Sequence, residues 1–576
     1  MPRISIPIPI HKPIWIAILT ILPLSLCFVM FLGTEYASGA AQPQSGYMIS
    51  GTVFDSQGNP IDIARVEILI PDQVEPLAFV ESHDDGEWNL VFDSIPSDTL
   101  ILSVERSHFQ PFQKQIDEEQ VSSLRKTGIL QIGEIQLERR ITPAFWAATI
   151  IFILVLILIA FEKLHSTTAA LAGLSAVFLV SFVGGAINPG LFIFDFEHAI
   201  AFINWDVIFL VMAMMIIIAI IERTGIFQWM AFQAYRLSRG HSWLLVLILM
   251  LITAIASALL DNFTTMLLMT PISLQIGLAL GINPLALIIP EVLASNVGGI
   301  TTLIGTPTNI LIGAYANISF SDFLENQTVG VLIALFGMAS FVLFFYREEW
   351  RKRSGGISPK LYDMLQENAQ IADPASLWKA GLIFILVLMG FIIGEKYHIN
   401  VAVTAIVGAT ILLIWLKPDI HAMIISVDWT TLVFFMALFI VVGAVQEVGL
   451  LAIVASGMAA IIGENLILGI FVIVFGIGTL STTIANIPLT ASMLPIIRFL
   501  STTIPGANNQ VLYYALSMGA AMGGNGFLIG AEANLVTAGI TQQAGSPISF
   551  KEFLKIGLPV TYITLTAGFI WLILRF

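Results

Sequence analysis

The sequence predicts an all-α polytopic membrane protein made of two inverted repeats, each with a re-entrant hairpin and a broken helix, preceded by a small exported all-β sandwich. Three observations carry that expectation. The 576 residues are 57% apolar and only 11% charged, with a mean hydropathy of +0.89, which suits many bilayer spans and not a soluble enzyme. Two polar stretches recur at one offset within otherwise apolar surroundings. Between residues 45 and 140 the apolar period changes to two, the period of strands.

At the N-terminus, Arg3 and Lys12 precede an apolar run from Ile14 to Leu32 and the small residues ASGAA. Residues 1–41 are therefore either a cleaved signal peptide or a retained signal-anchor helix, and both would export the strand-rich segment after them. Cys27 is the single cysteine, so no intramolecular disulfide forms. The net charge of −14 says little about nucleic acid, but the chain has no basic stripe, and no nucleic-acid partner is expected.

Residues 45–140 read as strands punctuated by QGNP, DDGE and SIPSD, a sandwich of about seven strands. The run GTVFDSQGNPIDIARVEI with DDGEW resembles the carboxypeptidase regulatory-like domain over about 90 residues. His83 and His108 read as surface histidines on strand ends, since no zinc-ligand spacing surrounds them.

From Ile141 onward, crossings are expected at about 144–161, 168–187, 205–223, 282–314 (broken) and 327–346, with a hairpin at 257–277. The plan repeats at 377–394, 399–416, 428–446, 511–540 and 556–574, with its hairpin at 480–500. This divides the chain into a first repeat at 141–346, a cytoplasmic linker at 347–376 and a second repeat at 377–576. Five crossings is an odd number, so the second repeat is expected upside down. Lys and Arg fit that plan: Arg223, Arg236, Arg239, Arg347, Arg351, Lys352, Arg353, Lys360, Lys417, Lys551 and Lys555 fall on the inner side, with Lys396 and Arg498 as exceptions. The β domain is then outside, and the chain a multi-pass protein of the plasma membrane.

The repeat itself is read from paired residues. Asn262 in DNFTTMLLMTPI matches Asn486 in ANIPLTASMLPI, and Trp205 matches Trp429 at the same offset of 224. Downstream the offset slips by one, setting Gly298, Gly305 and Asn309 against Gly523, Gly530 and Asn534. The first of these stretches gathers Asp261, Asn262, Thr264, Thr265, Ser295, Asn296, Thr306, Thr308 and Asn309 at bilayer depth, where polar groups are costly unless they line a site. The hairpin arms are each expected to be too short to span. A helix broken at the midplane leaves terminal N–H and C=O groups free for ions. Glu291, after Pro290, is expected near the start of the broken crossing, either lining the cavity or favoured there by the helix dipole. Asp206, Glu222, Glu162, Glu395 and Glu447 fall near span ends and read as interfacial, as do Trp205 and Trp429.

The two halves, over about 145–576, resemble the ion transporter superfamily, within it the group of arsenite permeases, D-type sodium/proton antiporters and the melanosomal P protein, with a citrate-transporter-like domain. AYRLSRGHSW, LLDNFTTMLLMTPI, GGNGFLIGAEANLVTAGI and SFKEFLKIGLP carry the resemblance. It implies a secondary active transporter and no enzyme: an elevator fold, by more distant similarity to divalent anion/sodium symporters, and a homodimer. It also implies two cation sites, one at Asp261, Asn262 and Gly305, the other at Asn486 and Gly530. Substrate contacts are expected at Asn262, Thr264, Thr306, Asn309, Asn486, Thr490, Glu532 and Asn534. Sodium ions are the only cofactor expected. The second tip carries Ala485 where the group has an acid, Thr306 stands where the P protein has Asp, and Glu532 adds a carboxylate. Three functions are expected on this basis: a carrier of a small anion (a di- or tricarboxylate or an arsenite-like oxyanion) coupled to sodium or protons, a sodium/proton antiporter using Asp261, and an anion channel.

Overall fold

The computed structural model describes residues 46–576 apart from 57, 72, 74, 161–163, 352–365 and 368. The expected leader with Cys27, Glu162 and most of the expected linker lie outside the described residues. The chain divides into two units, one ending at Arg139 and one spanning Arg140–Phe576.

The first unit has strands β1 (Tyr47–Asp55), β2 (Arg65–Leu69), β3 (Ala78–Glu81), β4 (Glu87–Phe92), β5 (Leu100–Glu105), β6 (Phe112–Ile116) and β7 (Ile129–Leu137). They form two sheets, ordered β4-β1-β7 and β3-β2-β5-β6. Alternate residues of both, among them Ile49, Val53, Val66, Ile68, Trp88, Leu90 and Leu102, share one buried core. Two expectations are corrected. The unit is not all β, because helix α1 (Glu118–Thr127) sits between β6 and β7. Its signals are local: Asp117 accepts from Gln120 N, acids open the helix, basic residues close it, and Gly128 ends it with a left-handed φ of 76°. His108 is buried at 6% exposure, not on the surface, because its turn carries it in beside Phe109.

The second unit is helical. Its elements are α2 (Pro143–Ala160), α3 (Ser166–Ile187), α4 (Trp205–Glu222), α5 (Ile226–Ser238), α6 (Ser242–Leu259), α7 (Asn262–Leu280), α8 (Leu285–Gly298), α9 (Pro307–Ala316) and α10 (Phe320–Phe345). The same order continues as α11 (Pro374–Lys396), α12 (Val401–Leu416), α13 (Trp429–Glu447), α14 (Leu450–Ile462), α15 (Leu466–Ser481), α16 (Asn486–Thr503), α17 (Val511–Gly523), α18 (Glu532–Gln543) and α19 (Phe550–Arg575). Among the described residues nine helices are long and apolar enough to cross a membrane. Large apolar side chains such as Phe336 and Leu574 face outward at 76% and 74% exposure, which suits lipid as the solvent.

The two sets of helices interlock reciprocally. Helix α3 packs on α13 while α12 packs on α4, and α7 packs on α18 while α16 packs on α9. Within each set, α6 lies along α8 and α15 along α17. Glycine permits the first approach, since a Cβ on Gly298 would sit 2.5 Å from the Cα of Ala254. The equivalent Gly523 lies against the carbonyl of Gly478, where a Cβ would collide.

The arms at the first polar tip are longer than expected. Helices α6 and α7 have 18 and 19 residues, each sufficient in length and composition to cross, because the apolar run before the tip starts at Ser242 and Pro271 is accommodated inside α7. Glu291 is not near a helix start either. It lies mid-helix in α8 and is fully buried, since α8 begins at Leu285 and continues through Pro290.

Candidate functional site

The site forms where four chain breaks meet: the α6–α7 and α15–α16 junctions, and the loops inside the α8–α9 and α17–α18 crossings. At the first junction Leu260 and Asp261 leave the helix, and Asp261 caps α7 by accepting from Thr264 N at 2.7 Å. The second junction has no such cap. Ala485 offers no acceptor, Pro488 stands where Thr264 gives its N–H at the first junction, and α16 begins without a side-chain cap.

Each of the two helix breaks, α8–α9 and α17–α18, is held by one asparagine. Asn309 Nδ2 donates to the carbonyls of Ile300 and Thr302 at 3.0 and 2.8 Å and of Gly299 at 3.5 Å. Its repeat partner Asn534 donates to Gly524 and Phe527 at 2.8 and 3.1 Å. Both asparagines are fully buried, so these bonds satisfy carbonyls that the helix ends leave free. Thr306 caps α9, accepting from Asn309 N at 3.3 Å, and its hydroxyl lies 2.8 Å from that of Thr308. Gly305 abuts the carbonyls of Gly299 and Ser257, and Gly530 that of Gly524, approaches that a side chain would block.

A second network joins the halves. Asn262 Nδ2 donates to Asn296 Oδ1 at 2.8 Å, and Asn296 Nδ2 donates onward to Asn525 Oδ1 at 2.8 Å and Asn534 Oδ1 at 3.0 Å. Ser295 Oγ donates to the carbonyl of Asn262 at 3.2 Å. Asn296 is thus a hub between the first tip and the second loop. Asn486 is buried on the other tip, and Thr490, also buried, has a hydroxyl with no partner among the described residues.

A cavity of about 730 Å³ opens beside these junctions, lined among others by His165, Phe263, Asp428, Ala485, Pro488 and Glu532. A neighbouring one of about 460 Å³ shares Phe263, Asp428 and Thr430 and adds Glu222 and Thr264. The carboxylates of Asp261, Asp428 and Glu532 are close enough for their charges to act on one another. Among the described residues no Lys or Arg lines either cavity. Asp428 caps α13, accepting from Thr430 N and Thr431 N at 3.0 and 3.2 Å, with the Thr431 hydroxyl at 2.6 Å. Sequence reasoning missed it, because VDW reads as an ordinary helix start; the available signal was its repeat partner, Asn204, which is uncharged. Asn525 was missed as well, its counterpart in the first half being the apolar Ile300.

Glu291 stands apart from the cavity. Its Oε2 accepts from Ser273 at 2.9 Å and Thr253 at 3.4 Å, while Oε1 has no partner among the described residues. The carboxyl is enclosed by α6, α7 and its own helix.

Nine helices long and apolar enough to cross a bilayer, with large apolar side chains facing outward, define a multi-pass membrane protein among the described residues. The comparison with protein families makes the assignment specific: residues 156–519 match the CitMHS model, described as citrate transporter, and the chain belongs to that family. A protein of Mycobacterium tuberculosis called an uncharacterized transporter is 34% identical over 435 residues, covering 74% of this chain and 98% of its own. A 46 kDa membrane protein of Mycobacterium leprae is 35% identical over 431 residues, covering 74% and 98%. The human P protein is 33% identical over 507 residues, covering 74% of this chain and 59% of its own length. The chain is a transporter and not an enzyme.

Proposed function

We propose that the chain is a secondary active transporter whose coupling ion, sodium or a proton, binds where Asp261, Asp428 and Glu532 converge. The single observation that carries this reading is that the three carboxylates act on one another while Asp428 and Glu532 line one cavity, whose described lining holds no Lys or Arg. Like charges gathered in a low-dielectric site are tolerated when a cation or protons neutralise them. Sodium/proton exchange is therefore the reading the cavity favours.

Carriage of a small anion such as a di- or tricarboxylate or an arsenite-like oxyanion is the second reading. The family's description and the cluster of helix N-termini at α7, α9, α16 and α18 favour it, since their N–H groups offer donors to carboxylate oxygens. An anion then enters with its coupling cation, because the acids alone would repel it. Asn262, Thr264, Thr306, Asn309, Asn486, Thr490, Glu532 and Asn534 are the proposed contacts, with Gly305 and Gly530 offering backbone carbonyls to the ions.

The reciprocal packing supports two inverted repeats with the α6–α7 and α15–α16 pairs as re-entrant hairpins, moving as an elevator within a homodimer at the plasma membrane. The β unit, proposed as carboxypeptidase regulatory-like, lies outside and takes no part in transport.

Flux in proteoliposomes with sodium, proton and anion gradients imposed separately tests the function. Proton release driven by sodium alone supports exchange; flux that needs a di- or tricarboxylate supports cotransport; flux indifferent to both cations overturns the proposal. Topology is tested in a Cys27→Ser background. Cysteines placed by Ser56→Cys and Lys417→Cys are expected to react with an impermeant reagent from opposite sides, and labelling from one side contradicts the inverted arrangement.

A further inference from the structure

We propose that the cleft between the end of α5 and the start of α6 binds the phosphate of an anionic phospholipid headgroup. The cleft has a volume of about 660 Å³ and is lined by Gln233, Arg236, Leu237, Arg239, His241 and Trp243, with the first turn of α6 as one wall. Helix α6 is apolar over its 18 residues, so its start marks a membrane face, the depth at which headgroups lie.

The chemistry fits a phosphate on one side and acyl chain on the other. Arg236 and Arg239 are exposed, and among the described residues neither pairs with a carboxylate; Arg236 Nη1 donates to Gln233 Oε1 at 3.4 Å. Two guanidinium groups present more N–H donors than Gln233 can satisfy, and phosphate oxygens match their fork geometry. No side chain caps α6, whose N-terminal partial charge also favours an anion. Leu237 and Trp243 flank the cleft at 63% and 43% exposure, the apolar and aromatic rim expected where lipid meets water.

The repeat supplies an internal control. The same junction recurs between α14 and α15, where Ala460, Gly463, Asn465 and Ile467 stand in place of Arg236, Arg239, His241 and Trp243. The fold of the junction therefore does not require cations. Arg239 takes a left-handed backbone, with φ of 50° and ψ of 35°, whereas Gly463 has a different backbone, with φ of 61° and ψ of −139°. Glycine accepts either freely, whereas an arginine at the left-handed position strains the backbone. The helix dipole favours a basic residue at either position, and Lys417 takes the same left-handed place at the end of α12. What sets this junction apart is that two guanidinium groups line one cleft, a pairing that a phosphate ligand accounts for. Basic pockets at helix ends are established binders of anionic headgroups in general.

The test uses the purified full chain in detergent with phosphatidylglycerol, phosphatidylcholine and inorganic phosphate as separate probes. Phosphatidylglycerol is expected to bind, and Arg239→Gly, which relieves the backbone and keeps the fold, is expected to weaken binding roughly fivefold, from about one cation's contribution at a membrane surface. Arg236→Gln is expected to give a comparable loss. Lys417→Gln, removing another exposed cation at a helix end, is expected to leave binding unchanged. Equal losses from Lys417→Gln and Arg239→Gly would reduce the effect to general charge attraction and overturn the site. Inorganic phosphate competing as effectively as phosphatidylglycerol would overturn the lipid as its source.

Discussion

The two polar tips are repeat partners, yet they are built on different principles. At the first, Asp261 caps α7 through Thr264 N, and Asn262 reaches the Asn296 hub. At the second, Ala485 caps nothing, and Pro488 occupies the position whose N–H an aspartate would use. Loss of the donor and loss of the acid go together. A duplicated scaffold has thus kept its geometry, visible in the matching clamps of Asn309 and Asn534, while charge has been gathered on one side. Asp261 answers Ala485, Asp428 answers Asn204, and Glu532 answers Pro307; the three charges act on one another, and Asp428 and Glu532 line one cavity. The symmetric part carries the architecture and the asymmetric part carries the candidate ion chemistry.

The largest expected effect breaks the network that joins the halves. Asn296→Ala leaves Asn262, Asn525 and Asn534 each short of a buried partner, and its repeat equivalent is already Ala521. Stability is expected to fall by about 2–4 kcal/mol, read as a lower unfolding midpoint in detergent. A change below about 0.5 kcal/mol would mean the hub is solvated and couples nothing.

A smaller effect separates the tips. Asp261→Ala removes a helix cap and is expected to cost about 1 kcal/mol. Ala485→Asp is expected to stabilise by less than Asp261→Ala costs, because with Pro488 in place only Ile487 N remains in reach of the new carboxylate. Adding Pro488→Thr to Ala485→Asp restores the donor, and the double substitution is expected to exceed the sum of the single ones. Strict additivity in that cycle would show that the missing N–H is not what distinguishes the tips.

Much of this architecture was legible in the chain. The offset linking Asn262 to Asn486 and Gly305 to Gly530 is a property of order along the sequence, and it located both tips and both broken crossings. Helix α1 was also written locally, in Asp117 and Gly128, but the alternation of its neighbours masked it. The length of α6 was obscured because the polar tip drew the boundary inward, although the apolar run from Ser242 is continuous. The remainder is tertiary. Asn525 and Asn296 stand 229 positions apart and meet only because α8 lies against the second crossing. Asp428 looks like any capping aspartate until α13 brings it to Asp261. Glu291 looked like a residue near a helix start, and only the closure of α6 and α7 around it reveals a fully enclosed carboxyl.

The central claim is that the acids on one side bind the coupling cation, and the pH dependence of sodium-driven flux tests it most directly. A proton and a sodium ion compete for one carboxylate, so acidification is expected to raise the sodium concentration needed for half-maximal flux in the native chain. Asp261→Asn keeps the shape of the side chain, retains an oxygen for Thr264 N and cannot titrate. The account predicts that this variant, inserted and folded normally, loses the shift in sodium dependence with pH or loses transport altogether. Normal flux with an unchanged pH dependence would contradict it and reduce Asp261 to a helix cap.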